Sequence, residues 1–251
     1  MQITHSLIIG GTKGLGKVLA KQLIDEGHHV SILARKKPQD TKDILQNALY
    51  VEADLLKEDT VFSALEYVLQ KRKIINNLVF LQRYKEQDDR WNGDLEVGLN
   101  ATRKIIEYLK NHFVKTTPYS SIIMVSSIAS KFANDSQPLS YSVTKAGLDL
   151  MMIYYAAQLG PKGIRVNSVS PITFIKPESQ TYYENNQKIN SLYQKMVPLG
   201  RMCNATDVAN VVRFLCSEQS AFVSGQNIII DGGLSTISHE NLPKILAEKI
   251  N

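Results

Sequence analysis

Ser6-Leu7-Ile8-Ile9-Gly10-Gly11-Thr12-Lys13-Gly14-Leu15-Gly16 is an apolar run that breaks into glycines, followed by an amphipathic stretch from Lys17 to Glu26 that stops at Gly27. A short apolar run ending in turn residues reads as a buried parallel strand, and the stretch after it as a helix with a glycine stop. Strand, glycine turn and helix in that order aim backbone N–H groups and a helix N-terminus at one point, the arrangement that binds phosphate. The glycines are spaced G-x-x-x-G-x-G, not G-x-G-x-x-G. A turn that merely joins strand to helix is the plainer alternative, and it leaves so many glycines unexplained.

The same alternation continues down the chain. Val30 to Ala34, Leu49 to Asp54, Asn77 to Leu81, Ile122 to Val125, Ile164 to Val169 and Asn227 to Ile230 read as strands. Between them Asp59 to Gln70, Gly93 to Phe113, the segment from Tyr141 to Leu159 and Asp207 to Leu215 read as helices. Alternating strands and helices predict a parallel sheet covered on both faces. No repeat, linker or low-complexity tract interrupts the pattern, so residues 1–251 read as one α/β domain, a size that buries a sizeable core. Residues 172–197, following the sixth strand, are expected to form a lid, and 239–251 a C-terminal tail with a short helix.

Hydrophobic residues make up 43% and charged residues 21% of the chain, and no apolar run is long enough to cross a membrane. Met1 to His5 lacks the basic-then-apolar pattern of a secretion signal, and Cys203 and Cys216 suit reduced thiols, so a cytoplasmic setting is expected. The net charge is +5, but the basic residues are scattered (Arg35-Lys36-Lys37 and Lys71-Arg72-Lys73 are the densest groups) and no nucleic-acid motif accompanies them. Anionic small molecules account for the charge at least as well. No metal-ligand cluster is expected.

Tyr141-Ser142-Val143-Thr144-Lys145 places a phenol and an ammonium four residues apart, on one face of a helix. A free Tyr exchanges protons poorly at neutral pH, and a fixed positive charge nearby favours its phenolate. Such a pair can pass a proton to a substrate oxygen. At the end of the second strand, where an NAD enzyme carries an acid for the ribose 2′-OH, this chain has Ala34, Arg35 and Lys36. A guanidinium there, with Lys13 in the glycine loop, suits a 2′-phosphate.

The glycine spacing, the Tyr141/Lys145 pair and the stretch Pro198-Leu199-Gly200-Arg201, Asp207-Val208-Ala209, Phe214-Leu215, Ser224-Gly225-Gln226 and Asp231-Gly232-Gly233 together resemble the short-chain dehydrogenase/reductase family over nearly the whole chain. The resemblance implies a single-domain, Rossmann-type doubly wound parallel sheet with helices on both faces. It implies hydride transfer between NADP(H) and a carbonyl/secondary alcohol, NAD(H) being the weaker candidate. Tyr141 would be the acid/base, Lys145 its partner, Ser127 the hydroxyl on the substrate oxygen, and Asn100 the holder of a relay water. Cofactor contacts would fall on Gly10, Thr12, Lys13, Gly14, Leu15, Gly16, Arg35, Asp54, Leu55, Tyr141, Lys145 and Pro171. A homodimer or homotetramer through the helices around Asn100 and Tyr141 would follow as well.

The polar, aromatic lid (Lys176, Glu178, Gln180, Tyr182, Tyr183, Tyr193) favours a hydroxyl-rich, sugar-like or charged small-molecule substrate. A 3-oxoacyl-thioester reductase, or a dinucleotide-binding regulatory or structural subunit without turnover, are the alternatives. Two departures from the family pattern bear on that choice. Phe80-Leu81-Gln82-Arg83 stands where the family has Asn-Asn-Ala-Gly, and Pro171-Ile172 where it has Pro-Gly. Larger side chains are therefore expected to repack the border of the site, with Arg83 directed either to solvent or to an anionic ligand.

Overall fold

The computed structural model describes residues 3–36, 47–114, 120–133 and 135–248; Lys37 of the basic group and residues 249–251 of the tail lie outside these. The elements run β1 (His5–Ile9), α1 (Gly14–Asp25), β2 (His29–Ala34), β3 (Leu49–Glu52), α2 (Glu58–Arg72), β4 (Asn77–Phe80), α3 (Arg90–Leu95), α4 (Ala101–Leu109), β5 (Ser120–Val125), α5 (Leu139–Leu159) and β6 (Ile164–Pro171). They continue with β7 (Phe174–Ile175), α6 (Gln180–Asn185), α7 (Gln187–Met196), β8 (Cys203–Asn204), α8 (Ala205–Cys216), β9 (Asn227–Ile230) and α9 (Leu242–Glu248). Seven strands form one parallel sheet in the order β3-β2-β1-β4-β5-β6-β9. The order reverses direction between β1 and β4, the point at which such sheets open a ligand crevice.

Alternate residues of each strand feed two cores. Leu7, Ile9, Leu78, Phe80, Ile122 and Val166 face α2, α4 and α5, while Ile8, Ile32, Val79, Ile123 and Val169 face α1 and α8. Burial on both faces is why these strands read as unbroken apolar runs.

Two features depart from the sequence reading. The long helix expected over Gly93 to Phe113 is interrupted at Glu96–Asn100 by a π turn, in which the Ala101 N–H donates to the carbonyl five residues back, Glu96 O. A second, two-stranded parallel sheet pairs Phe174 with Cys203 and Ile175 with Asn204, pinning the start of the lid to the loop before α8. The segment expected to form a lid folds as β7, α6 and α7, and the tail helix α9 packs on α7.

A belt of buried polar groups crosses the strands near their N-terminal ends. The His5 ring donates from Nδ1 to Ile74 O (2.6 Å) and accepts at Nε2 from the Ser31 hydroxyl (2.9 Å), while Asn77 bridges Ser6 (3.0 Å) and Ser121 (2.9 Å). Burial dominates and lowers the His5 pKa to about 4. Between pH 6.5 and 4 the unfolded chain takes up a proton that native His5 refuses, so stability falls as pH falls through that window, by about 3 kcal/mol in full. Denaturant midpoints from pH 7 to 4.5 should therefore drop more steeply for the native sequence than for His5→Gln; equal slopes would refute the assignment.

Candidate active site

Tyr141 lies in the first turn of α5, and what holds that turn is Asp94. Buried at the end of α3, its carboxylate accepts from the Arg90 Nε (2.9 Å) and from the Ser140 hydroxyl (2.7 Å), one residue before Tyr141. One turn further on, the Lys145 Nζ donates to Val125 O at 2.7 Å, and the Ser126 hydroxyl donates to Lys145 O at 3.0 Å. The end of β5 is thus stitched to the helix that carries the Tyr/Lys pair. Ser126 is spent on that stitch. Ser127 follows it, half-buried, with its Oγ accepting from the Ala129 N–H at 3.2 Å.

The Lys145 Nζ sits 5.5 Å from the centroid of the Tyr141 ring, so the pair expected from the i, i+4 spacing does face the same space. A second cation faces that ring: the Arg83 guanidinium lies 4.6 Å from its centroid. Arg83 Nη2 also donates to Gln137 Oε1 at 2.5 Å. The segment that replaces Asn-Asn-Ala-Gly is repacked as expected. Gln82 Nε2 donates to the Thr102 hydroxyl (2.8 Å), Tyr84 is buried with its hydroxyl on Asp88 O (2.7 Å), and Arg83 is left exposed over Tyr141. Ile172, the other departure, is absorbed into the core with 6% exposure, after Pro171 ends β6.

Asn100 lies at the end of the π turn that leads into α4. Its amide donates to Glu96 Oε2 at 2.6 Å on the exposed side of the π turn, and this bond, more than Lys104, holds the Glu96 carboxyl below its usual range. The residue that faces α5 beside Lys145 is Gly98: a Cβ there would stand 2.1 Å from Thr144 Cγ2. Asn100 closes the π turn with its side-chain amide on Glu96, and holding a relay water remains a proposal for this residue.

At the other end of the crevice the glycine loop makes a cradle that side chains would fill. A Cβ on Gly16 would lie 2.5 Å from Gly11 Cα. The Gly14 N–H, at the start of α1, donates to Glu178 Oε1 at 2.6 Å, so a lid carboxylate already rests where a phosphate is expected. The cradle therefore suits an oxyanion. Thr12 is half-buried and Lys13 exposed, and Leu15 is buried against α1 and the sheet. Arg35 pairs with the Glu86 carboxylate, both side chains about half exposed. An exposed pair of this kind contributes little, so Arg35 can exchange Glu86 for another anion at small cost. Asp54 accepts the Leu56 N–H at 3.1 Å, and Leu55 packs on the core.

Burial, reinforced by the charge of Arg83, lowers the Lys145 ammonium to about 8, while Asp149 and Asp94 pull the other way. The charged form is thus held in the fold at a cost present in full below pH 8. That cost fades as pH rises from 8 to 10.5, where native Lys145 has lost its proton and the unfolded chain still carries one. Lys145→Met should raise stability at pH 7 by about 1–2 kcal/mol net of the hydrogen bond to Val125, and the gain should shrink above pH 8. Thermal unfolding at pH 7 and pH 10 measures it. A variant less stable than the native sequence at pH 7 would contradict it.

Residues 10–235 match the family model described as Enoyl-(Acyl carrier protein) reductase. The chain is 29% identical over 238 residues to an uncharacterized oxidoreductase of Schizosaccharomyces pombe, covering 91% of this chain and 89% of that one. It is also 29% identical over 246 residues to a 3-oxoacyl-[acyl-carrier-protein] reductase of Aquifex aeolicus, covering 91% and 96%. A short-chain type dehydrogenase/reductase from Mycobacterium ulcerans superposes with a TM-score of 0.82 at 26% identity, over 94% of this chain and 91% of that chain. An aldohexose dehydrogenase from Thermoplasma acidophilum shares the fold at 21% identity and a TM-score of 0.81, over 95% and 96%. A match that runs from the glycine loop to the turn after β9 leaves one reading of the molecule: it is an oxidoreductase and belongs to the short-chain dehydrogenase/reductase family.

Proposed function

We propose that this enzyme transfers hydride reversibly between NADP(H) and a carbonyl/secondary-alcohol pair on a polar small molecule. The observation that carries the proposal is the Tyr141 ring facing two cations, Lys145 at 5.5 Å and Arg83 at 4.6 Å, beside the C-terminal end of β5. The family uses a nicotinamide cofactor, which when bound supplies the hydride. The Gly10-to-Gly16 loop would hold its pyrophosphate, Asp54 and Leu55 its adenine end, and Pro171 would border the nicotinamide. Lys13 and Arg35, with no acid at the end of β2, favour the 2′-phosphate over a bare ribose.

Ser127 and Tyr141 would bind the carbonyl oxygen, on which negative charge grows as the bond is reduced. Tyr141 gives that oxygen its proton. Lys145, fixed by Val125 O, keeps a positive charge beside the developing anion. The 3-oxoacyl-thioester reading draws on the Aquifex aeolicus relative. Against it stand the polar side chains of the lid. A second copy of the chain fits the outer face of α4 and α5, where Leu150, Ile153 and Tyr154 are 68%, 55% and 57% exposed. That apolar surface supports a homodimer or homotetramer.

With NADPH and a panel of polar ketones and aldehydes, Tyr141→Phe should cut kcat/KM by about 10²- to 10⁴-fold and leave NADPH affinity within about twofold. Undiminished turnover in that variant would end the proposal. Because Glu178 must leave the Gly14 N–H before a phosphate can take its place, Glu178→Gln should tighten NADPH binding about three- to tenfold. Calorimetry that shows weaker binding would count against the glycine loop as the pyrophosphate site.

A further inference from the structure

Several cations of this protein have a carboxylate partner. Arg35 pairs with Glu86, Lys104 with Glu58 and Glu96, Arg90 with Asp94, Arg201 with Asp207 and Arg213 with Glu26. Three that border the Tyr141 crevice do not. Among the described residues no carboxylate lies within ion-pair distance of Arg83, Lys85 or Lys176. They converge nonetheless. Burial and then the charges of Lys85 and Arg83 hold the Lys176 ammonium below its usual range, with Glu178 opposing. Like charges gathered in a cleft, opposed only in part by Glu178, favour an anionic ligand.

The three divide by position. The Lys176 Cδ would lie 3.3 Å from a Cβ on Gly14, so this lysine belongs to the phosphate end of the crevice. Arg83 lies on the face of the Tyr141 ring, at the reacting end. Of its five N–H donors, one is engaged, and the acceptor is the neutral amide of Gln137. The remaining fork, 4.6 Å from the ring centroid, matches a planar carboxylate. A carboxylate held there while Tyr141 touches a carbonyl oxygen suits a short molecule whose carboxylate is bonded to the carbonyl carbon or lies one carbon away.

We propose that Arg83 anchors a carboxylate of the substrate itself, so that the compound reduced is a short 2-oxo or 3-oxo acid and not a neutral ketone or sugar. This rests on the reductase reading above and narrows its substrate class. It also sets the enzyme apart from 3-oxoacyl-thioester reduction, since a thioester places no charge beside its ketone.

The test compares short 2-oxo and 3-oxo acids with their primary amides, following NADPH oxidation, in the native enzyme and in Arg83→Gln and Arg83→Lys. The acids should exceed their amides in kcat/KM by about tenfold or more, the gain expected from a charge-assisted hydrogen bond. Arg83→Gln should abolish that preference, lowering kcat/KM for the acids relative to their amides by about the same factor and leaving the NADPH Kd within about twofold. Arg83→Lys should fall between, having the charge without the fork. Equal use of acid and amide by the native enzyme, or a preference that survives Arg83→Gln, overturns the proposal. So does a loss of NADPH affinity in step with the acid, which would assign Arg83 to the cofactor. If no compound is turned over, the reductase reading fails on its own. Calorimetric binding of the acids against the amides to the NADP⁺-loaded protein still decides Arg83: tighter acid binding lost in Arg83→Gln supports the anchor, and equal binding rejects it.

Discussion

A buried ammonium must be satisfied, and in this fold one backbone carbonyl does it. Lys145 is 6% exposed and its Nζ donates to Val125 O, the last residue of β5. Because α5 returns the bond through Lys145 O and the Ser126 hydroxyl, helix and strand end are locked together at the Tyr141/Lys145 pair. The position of Tyr141 follows from that lock, with Asp94 and Ser140 fixing the turn it sits in. The arrangement is expensive in stability, since burial pushes Lys145 toward its neutral form, and functional sites are where such costs persist.

The rest of the crevice is built by charge. The glycine loop is an anion cradle already tested by the protein's own Glu178, and Arg35 is parked on Glu86 from the loop that follows β4. Both contacts are exchangeable carboxylate substitutes for phosphate. The loop after β4 thus serves two masters: Arg83 turns toward Tyr141 and Glu86 toward Arg35, only three residues apart. Where the family has small residues, this segment brings the positive charge of Arg83 to the Tyr141 ring.

Some residues carried different meanings alone and in the fold. The relay role of Asn100 is what the family resemblance implies. The π turn adds a residue to the helix that carries it, and the amide swings to Glu96 while Gly98 takes the inner face. Nothing in local propensity announces a π turn, and within it Gly98 leaves room for Thr144. Asp94 was equally silent in the sequence. It is an ordinary acid in a polar stretch until α3 folds it against Ser140.

What the sequence determined by itself was the sheet and the Tyr141/Lys145 pair. Strands buried on both faces leave continuous apolar runs, glycines mark the loop that must come close to α1, and two residues four apart on a helix share a face whatever surrounds them. These are short-range facts. The tertiary structure alone decided the partners: Glu178 on Gly14 across 164 residues, Arg83 on Tyr141, Asn100 away from Lys145. Those contacts depend on the order of strands in the sheet and on one extra residue in a helical turn, and neither is written in any local pattern of side chains.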